Sequence, residues 1–130
     1  MPDLFKAAAR WLSAKQKDHT STLVTYSRVE ASVEVRAVIG RSQWDVPDAS
    51  GLLLRVESRD YLIETDDLEL DGQIAEPKPG DRIVEPGGGD DGSDLIYEVS
   101  APAPGLSHWQ WDGPHRVRRR IHTKKIGAVP

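Results

Sequence analysis

The chain is 130 residues long, with a formal net charge of −4 and an isoelectric point near 5.5. That length fits one domain and suffices to bury a hydrophobic core without covalent staples. With no Cys, disulfides, zinc–thiolate sites and thiol nucleophiles are excluded, and no apolar run reaches membrane-spanning length.

The average charge hides an asymmetry. Residues 60–98 hold thirteen Asp or Glu against Lys78 and Arg82, while RVRRRIHTKKIG, residues 116–127, holds six Lys or Arg, one His and no acid. Such a chain can pair head to tail with copies of itself or steer toward a charged partner; an unevenly charged solvated surface is the plainer explanation. The N-terminal MPDLFKAAARWLSAKQK lacks the apolar stretch of a signal peptide, so a soluble protein of the cytoplasm in which it is made is expected.

In chain order, residues 3–17 have the period of an amphipathic helix. Asp3 suits the N-cap, Leu4, Phe5, Ala8, Trp11 and Leu12 fall on one face, and Lys6, Arg10, Ser13 and Lys17 on the other. The apolar face either packs on its own domain or docks on a neighbour. KDHTST then reads as a linker. From there the period changes to two. TLVTYSRV is rich in β-formers, and a bend is expected around Arg28 to Glu30. Ala31, Val33, Val35, Ala37 and Ile39 share one face of a half-buried strand, with Ser32, Glu34 and Arg36 opposite. LLLRVESRDYLIE reads as a hairpin turning at Ser58-Arg59-Asp60.

Further on, Pro79-Gly80 signals a turn into a short strand from Asp81 to Glu85. Pro86 to Ser93, with Gly87, Gly88, Gly89, Asp90 and Asp91, is expected to be a flexible loop. Asp94 to Ala101 is the next strand, with Leu95, Tyr97 and Val99 on one face. Trp109 and Trp111 alternate with His108, Gln110 and Asp112, and Gly113-Pro114 leads into the basic segment. Many short strands with Gly/Pro breaks indicate an all-β barrel or sandwich.

Few residue patterns point to chemistry. Asp67, Glu69, Asp71 and Gly72 start like a calcium loop, but its twelfth position is Lys78 where a bidentate carboxylate is needed. His19, His108, His115 and His122 lack metal-ligand spacing, and no nucleophile elbow, phosphate loop or dinucleotide fingerprint is present. No metal, no cofactor and no catalysis are expected, with an enzyme on a β-scaffold the minor alternative. Trp109 and Trp111 suit stacking on bases or, preferably, packing. In the basic segment, period two puts Arg116, Arg118, Arg120, His122 and Lys124 on one outward face of a strand, with Val117, Arg119, Ile121, Thr123 and Lys125 opposite. Such a face needs acidic cross-strand partners, an acidic neighbour, or phosphates.

The succession VTYSR, SVEVRAVIG, YLIETDDL, PKPGDRIVE, YEV and RRRIHTKKI resembles that of the small head–tail joining proteins of long-tailed bacteriophages, also called head completion, stopper or adaptor proteins. The resemblance runs over roughly residues 20–127, and its strongest part is PKPGDRI followed by YEV. It implies a small β-barrel or sandwich with one long mobile loop. It also implies assembly as a ring at the virion neck, where such proteins close the filled capsid and offer a docking surface for the tail. Pro79, Gly80, Asp81 and Arg82 carry over as turn and strand start, and Tyr97 to Val99 as a core strand; no active site carries over. The N-terminal helix and the tryptophan pair depart from the pattern.

The expected molecule is therefore mainly β, with about six to eight short antiparallel strands and one N-terminal amphipathic helix. Residues 1–19 form the helix and linker and 20–130 one β domain with its loop at 86–93. Its expected partners are a portal or head-connector protein and a tail or neck protein. It is expected to be a monomer when free and a ring on assembly, away from membranes, with at most weak DNA contact. The alternative is a nucleic-acid-binding β-barrel that uses Trp109, Trp111 and the basic strand.

Overall fold

A computed structural model describes residues 5–12 and 21–129. Asp3, Leu4, Ser13, Lys17 and His19, and most of the expected linker, lie outside the described residues. Residues 5–12 form helix α1. Nine strands follow: β1 (Ser21–Arg28), β2 (Ala31–Pro47), β3 (Leu53–Glu64), β4 (Glu69–Leu70), β5 (Gln73–Ile74), β6 (Arg82–Glu85), β7 (Asp94–Val99), β8 (Trp109–Trp111) and β9 (Arg118–Val129). The protein is mainly β, as its periodicity predicts.

The main sheet runs β3-β2-β1-β6-β7-β9-β8, and β3 also pairs with β9, so six strands close into an antiparallel barrel. One edge of β9 pairs with β3; the other pairs with β8 and then β7. Alternation decides what the barrel encloses. Val24 and Tyr26, Val35 and Ala37, Tyr61 and Ile63, Ile83, Tyr97 and Val99, and Ile121 all point inward and are buried. Each fully buried aliphatic side chain contributes roughly 1.5–3 kcal/mol of transfer free energy.

One end of the barrel is closed. The segment after β3 makes a single 3-10 turn, Thr65–Asp67, then the β4–β5 hairpin, and sets Leu68 and Leu70 into the core. Asp71 (φ 54°) and Gly72 (φ 79°) form the two-residue loop of that hairpin, the conformation that favours Asp-Gly. Pro79-Gly80 makes a type II turn: Gly80 has φ 95° and the Asp81 amide donates to the Lys78 carbonyl at 3.1 Å. The β1–β2 turn lies at this end too, with Val29 at φ 46° and fully exposed.

At the other end two strands outrun the barrel. Ser42–Pro47 of β2 pairs with Leu53–Ser58 of β3 and, among the described residues, with no other strand. This makes a two-stranded arm that carries Leu52, Leu53 and Leu54 exposed at its tip.

Three expectations are corrected. Ser58-Arg59-Asp60 is no turn but the middle of β3, because groups on neighbouring strands satisfy the Asp60 carboxylate and the Arg59 carbonyl. Ser21 and Thr22 belong to β1, not to a linker. The basic strand starts at Arg118, since Arg116 sits at φ 55° in the preceding turn. Several strands are also long: β2 spans 17 residues.

Candidate functional site

The outer wall formed by β2, β3 and β9 carries the basic row. Cross-strand register sets Asp60 beside His122 and Leu62 beside Arg120. Asp60 is fully buried and accepts from His122 Nδ1 at 2.8 Å, from Arg120 Nη1 at 2.8 Å, from Ser58 Oγ at 2.5 Å and from Ser42 Oγ. Burial alone would raise its carboxyl pKa, but hydrogen bonds from His122, Ser42, Ser58 and Arg120 outweigh that and bring it down to about 2. Asp112 accepts from Arg118 Nε at 2.6 Å and lies 3.6 Å from Arg120 Nη2. Trp44 stands edge-on to His122, ring centroids 4.9 Å apart.

Of the three ways to balance such a face, acidic groups within the chain meet most of it. The row does point out of the barrel, but Arg118, Arg120 and His122 are matched within the chain by Asp60 and Asp112. Lys124 and Arg116 are the exposed members. Ser58, His122 and Asp60 are familiar hydrolase residue types, yet Ser58 and Asp60 both meet Nδ1. A catalytic relay needs hydroxyl and carboxylate on opposite ring nitrogens. This cluster holds strands together instead.

Trp109 and Trp111 are half-buried, edge to face with centroids 5.0 Å apart. The Arg119 guanidinium lies over both rings, at 4.8 and 5.2 Å, and donates from Nη1 to the Ala75 carbonyl. Trp109 Nε1 donates to Glu76. The pair thus packs near the closed end, with Arg119 on the ring faces.

Inside the barrel, two similar sets of polar groups mark its two ends. At the closed end the Tyr26 hydroxyl donates to Asp81, Arg28 donates to both Asp81 oxygens at 2.9 and 2.8 Å, and the Lys78 amide adds a fourth bond. Desolvation would raise the Asp81 carboxyl, but Arg28 and Tyr26 hold it below the usual range; burial and the Asp81 hydrogen bond push Tyr26 up. At the open end the Tyr61 hydroxyl donates to Glu85, and Arg59 Nη2 reaches Glu85 Oε1 at 2.6 Å. Arg59 also lies 5.2 Å from the Tyr97 ring centroid.

The open end forms a mouth of about 650 Å³ lined in part by Arg41, Glu57, Arg59, Tyr97 and Lys125. On the arm, Gln43 donates to Glu57 at 2.7 Å and Arg55 lies 3.6 Å from Asp45, so one arm face is polar. The other presents Trp44, Val46, Leu54 and Val56. Nearby, the 86–93 loop is folded by backbone bonds from Gly89 to Ser93 and from Gly92 to Gly89, and by Asp94 accepting from the Gly87 amide. A Cβ at Gly89 would stand 2.4 Å from Ser93 Oγ, and one at Gly88 2.9 Å from Glu85 Oε2. Asp90 and Asp91 are exposed at its tip.

Helix α1 shields little of its apolar face. Phe5, Trp11 and Leu12 are 73%, 61% and 57% exposed. Phe5 stacks on His115, and Ala9 and Leu12 border a cavity of about 300 Å³ against Gly113–Arg118. Among the described residues, no cluster of His or carboxylate groups is arranged to hold a metal, and no helix is long and apolar enough to cross a membrane.

Sequence reasoning missed Asp60 and Asp112. Asp112 had a signal: it and Arg118 flank the Gly113-Pro114 turn and oppose each other across it. Asp60 had little, because apart from Ser58 its partners lie 18 to 62 positions away.

Comparison with known families gives a match over nearly the whole chain. The family model described as phage head-tail joining protein matches residues 2–130. No curated protein matches the chain.

Proposed function

The chain belongs to the phage head–tail joining protein family, and from that premise we propose that it is a non-catalytic ring component of the virion neck that joins the portal or head connector to the tail. The family match over nearly the whole chain is the observation that carries this reading. The free protein is a monomer in the host cytoplasm and forms a ring only on a partner template. A heterologous ring needs two different, complementary surfaces on each copy. The open end, with its leucine-tipped arm, and the exposed apolar face of α1 supply contact surface for that purpose. Arg116 and Lys124 are the exposed cations of the former basic row and belong to the contact set, with Trp109 and Trp111 fixing the shape beneath. DNA passing through the ring is touched weakly, if at all, by a chain of net charge −4.

Deletion of the gene tests the reading. Filled heads and finished tails should accumulate unjoined in electron micrographs, and the protein supplied in trans should join them. Joined particles in its absence overturn it. A nucleic-acid module would instead bind a random oligonucleotide at micromolar or tighter affinity, weakening steeply as salt rises.

A further inference from the structure

Where β3 and β9 separate, each leaves a strand edge open. Their ladder covers Arg59–Glu64 against Arg118–Thr123 and stops there, although β3 begins at Leu53 and β9 runs on to Val129. Beyond the last pair, Arg59 with Thr123, the strands diverge as a fork. Among the described residues no strand pairs with Leu53–Ser58 or Lys124–Val129 on the sides facing the fork. Each open edge is about six residues long, the length of an ordinary strand.

The fork opens onto the barrel mouth, and its charge is one-sided. Lys124 and Lys125 flank the β9 side and Arg41 the β2 side. Of the acids nearby, Glu85 is paired with Arg59 and Tyr61, and Glu57 accepts from neutral Gln43 and keeps its charge. Glu98 stands opposite Lys124 in the ladder, and Asp91 lies within electrostatic reach of Lys125. The lining, with Arg41, Arg59, Lys124 and Lys125 against Glu57, is still net positive.

We propose that this fork is a strand-addition site that captures an extended, acidic segment of a partner protein, with backbone bonds to one open edge and alternate carboxylates directed at Lys125 and Arg41. The mode is β-augmentation, in which the ladder gives affinity and alternate side chains give selectivity. A second copy of this chain is a poor occupant. Its acidic closed end is built from turns, and the strands there, Glu69–Leu70 and Gln73–Ile74, are two residues each. The inference rests on the neck reading only for the partner's identity, not for the site.

The test uses the full chain, ¹⁵N-labelled, titrated with a seven-residue peptide of alternating Val and Glu. Amides of 53–58 and 124–129 should shift together. Affinity should fall at least tenfold for the same peptide with Lys in place of Glu, for a version N-methylated at alternate residues, and for the protein carrying R41E and K125E. Both substituted side chains are exposed, and an unchanged melting temperature checks the fold. Shifts confined to other residues, equal binding of the Lys peptide, or equal binding of the N-methylated peptide overturns the proposal. So does concentration-dependent self-association with the same shifts and no peptide. If R41E/K125E protein still joins heads to tails, the strand-addition site falls while the neck reading stands.

Discussion

The two ends of the barrel use the same three side-chain groups to different effect. Each holds a tyrosine that donates to a carboxylate paired with an arginine: Tyr26, Asp81 and Arg28 at one end, Tyr61, Glu85 and Arg59 at the other. At the closed end the carboxylate also accepts the Lys78 amide, Arg28 donates to the Glu76 carbonyl, and Leu68 and Leu70 seal the core. At the open end Arg59 lies against the Tyr97 ring, the set has no backbone amide or carbonyl partner among the described residues, and the Arg59 side chain is 34% exposed against 25% for Arg28. The lesson is that the cost of breaking an ionic set grows with how fully it is enclosed, because the partner left behind cannot turn to water.

The comparison can be broken at its centre. Asp81→Ala leaves Arg28, the Tyr26 hydroxyl and the Lys78 amide without their acceptor and should cost about 3–5 kcal/mol in denaturant unfolding. Glu85→Ala should cost only about 1–2 kcal/mol, because Arg59 can turn to water in the mouth. Equal losses would show that the two ends are energetically alike.

Acid sharpens it next. Asp60 and His122 form the second-last β3–β9 pair before the fork, so they act as its clasp. The folded-state pKa of Asp60 is depressed to about 2, so its contribution is present above the unfolded value and is lost as pH falls toward 2. That contribution is about 2 kcal/mol. Protection of the amides at 59–62, relative to intrinsic exchange, should fall between about pH 4 and pH 2, ahead of protection at Tyr26 (the window follows from the shift). Simultaneous loss at both places would remove the distinction between the ends.

Smaller changes probe the turns and tips. Val29→Gly relieves a β-branched residue from positive φ at the closed end and should raise stability by about 0.5–1 kcal/mol by thermal unfolding. Leu53→Ser with Leu54→Ser, on the arm, should alter folding stability by no more than about 0.5 kcal/mol. Their effect should appear instead as failed joining of heads to tails.

Much of the barrel was legible because period two is written into the residues themselves. Val33, Val35, Ala37 and Ile39 announced an inner face, and Pro79-Gly80 announced a turn. The length of β3 was not legible. Ser58, Arg59 and Asp60 look like turn residues until Ser42, Arg120, His122 and the acceptance of Thr123 by the Arg59 carbonyl are known, and those partners come from other strands. The same gap left the partners of the basic row unnamed. Alternation told which way Arg118, Arg120 and His122 point, but not that Asp60 and Asp112 would meet them. Periodicity is local, whereas neutralisation depends on register between strands far apart in sequence.

The open fork bears on how the protein behaves in storage and at high concentration. A barrel that closes everywhere has no edge to offer, but this one leaves the two edges of the fork, and exposed edges invite indiscriminate stacking of chains. Lys124 and Lys125 are on one of them. When two forks approach, their like charges meet first, so copies are kept from laddering onto each other. Concentrated protein should therefore stay clear at low salt and turn cloudy as salt screens the lysines, with amyloid-type growth strongest in variants that replace both by Ala or Val.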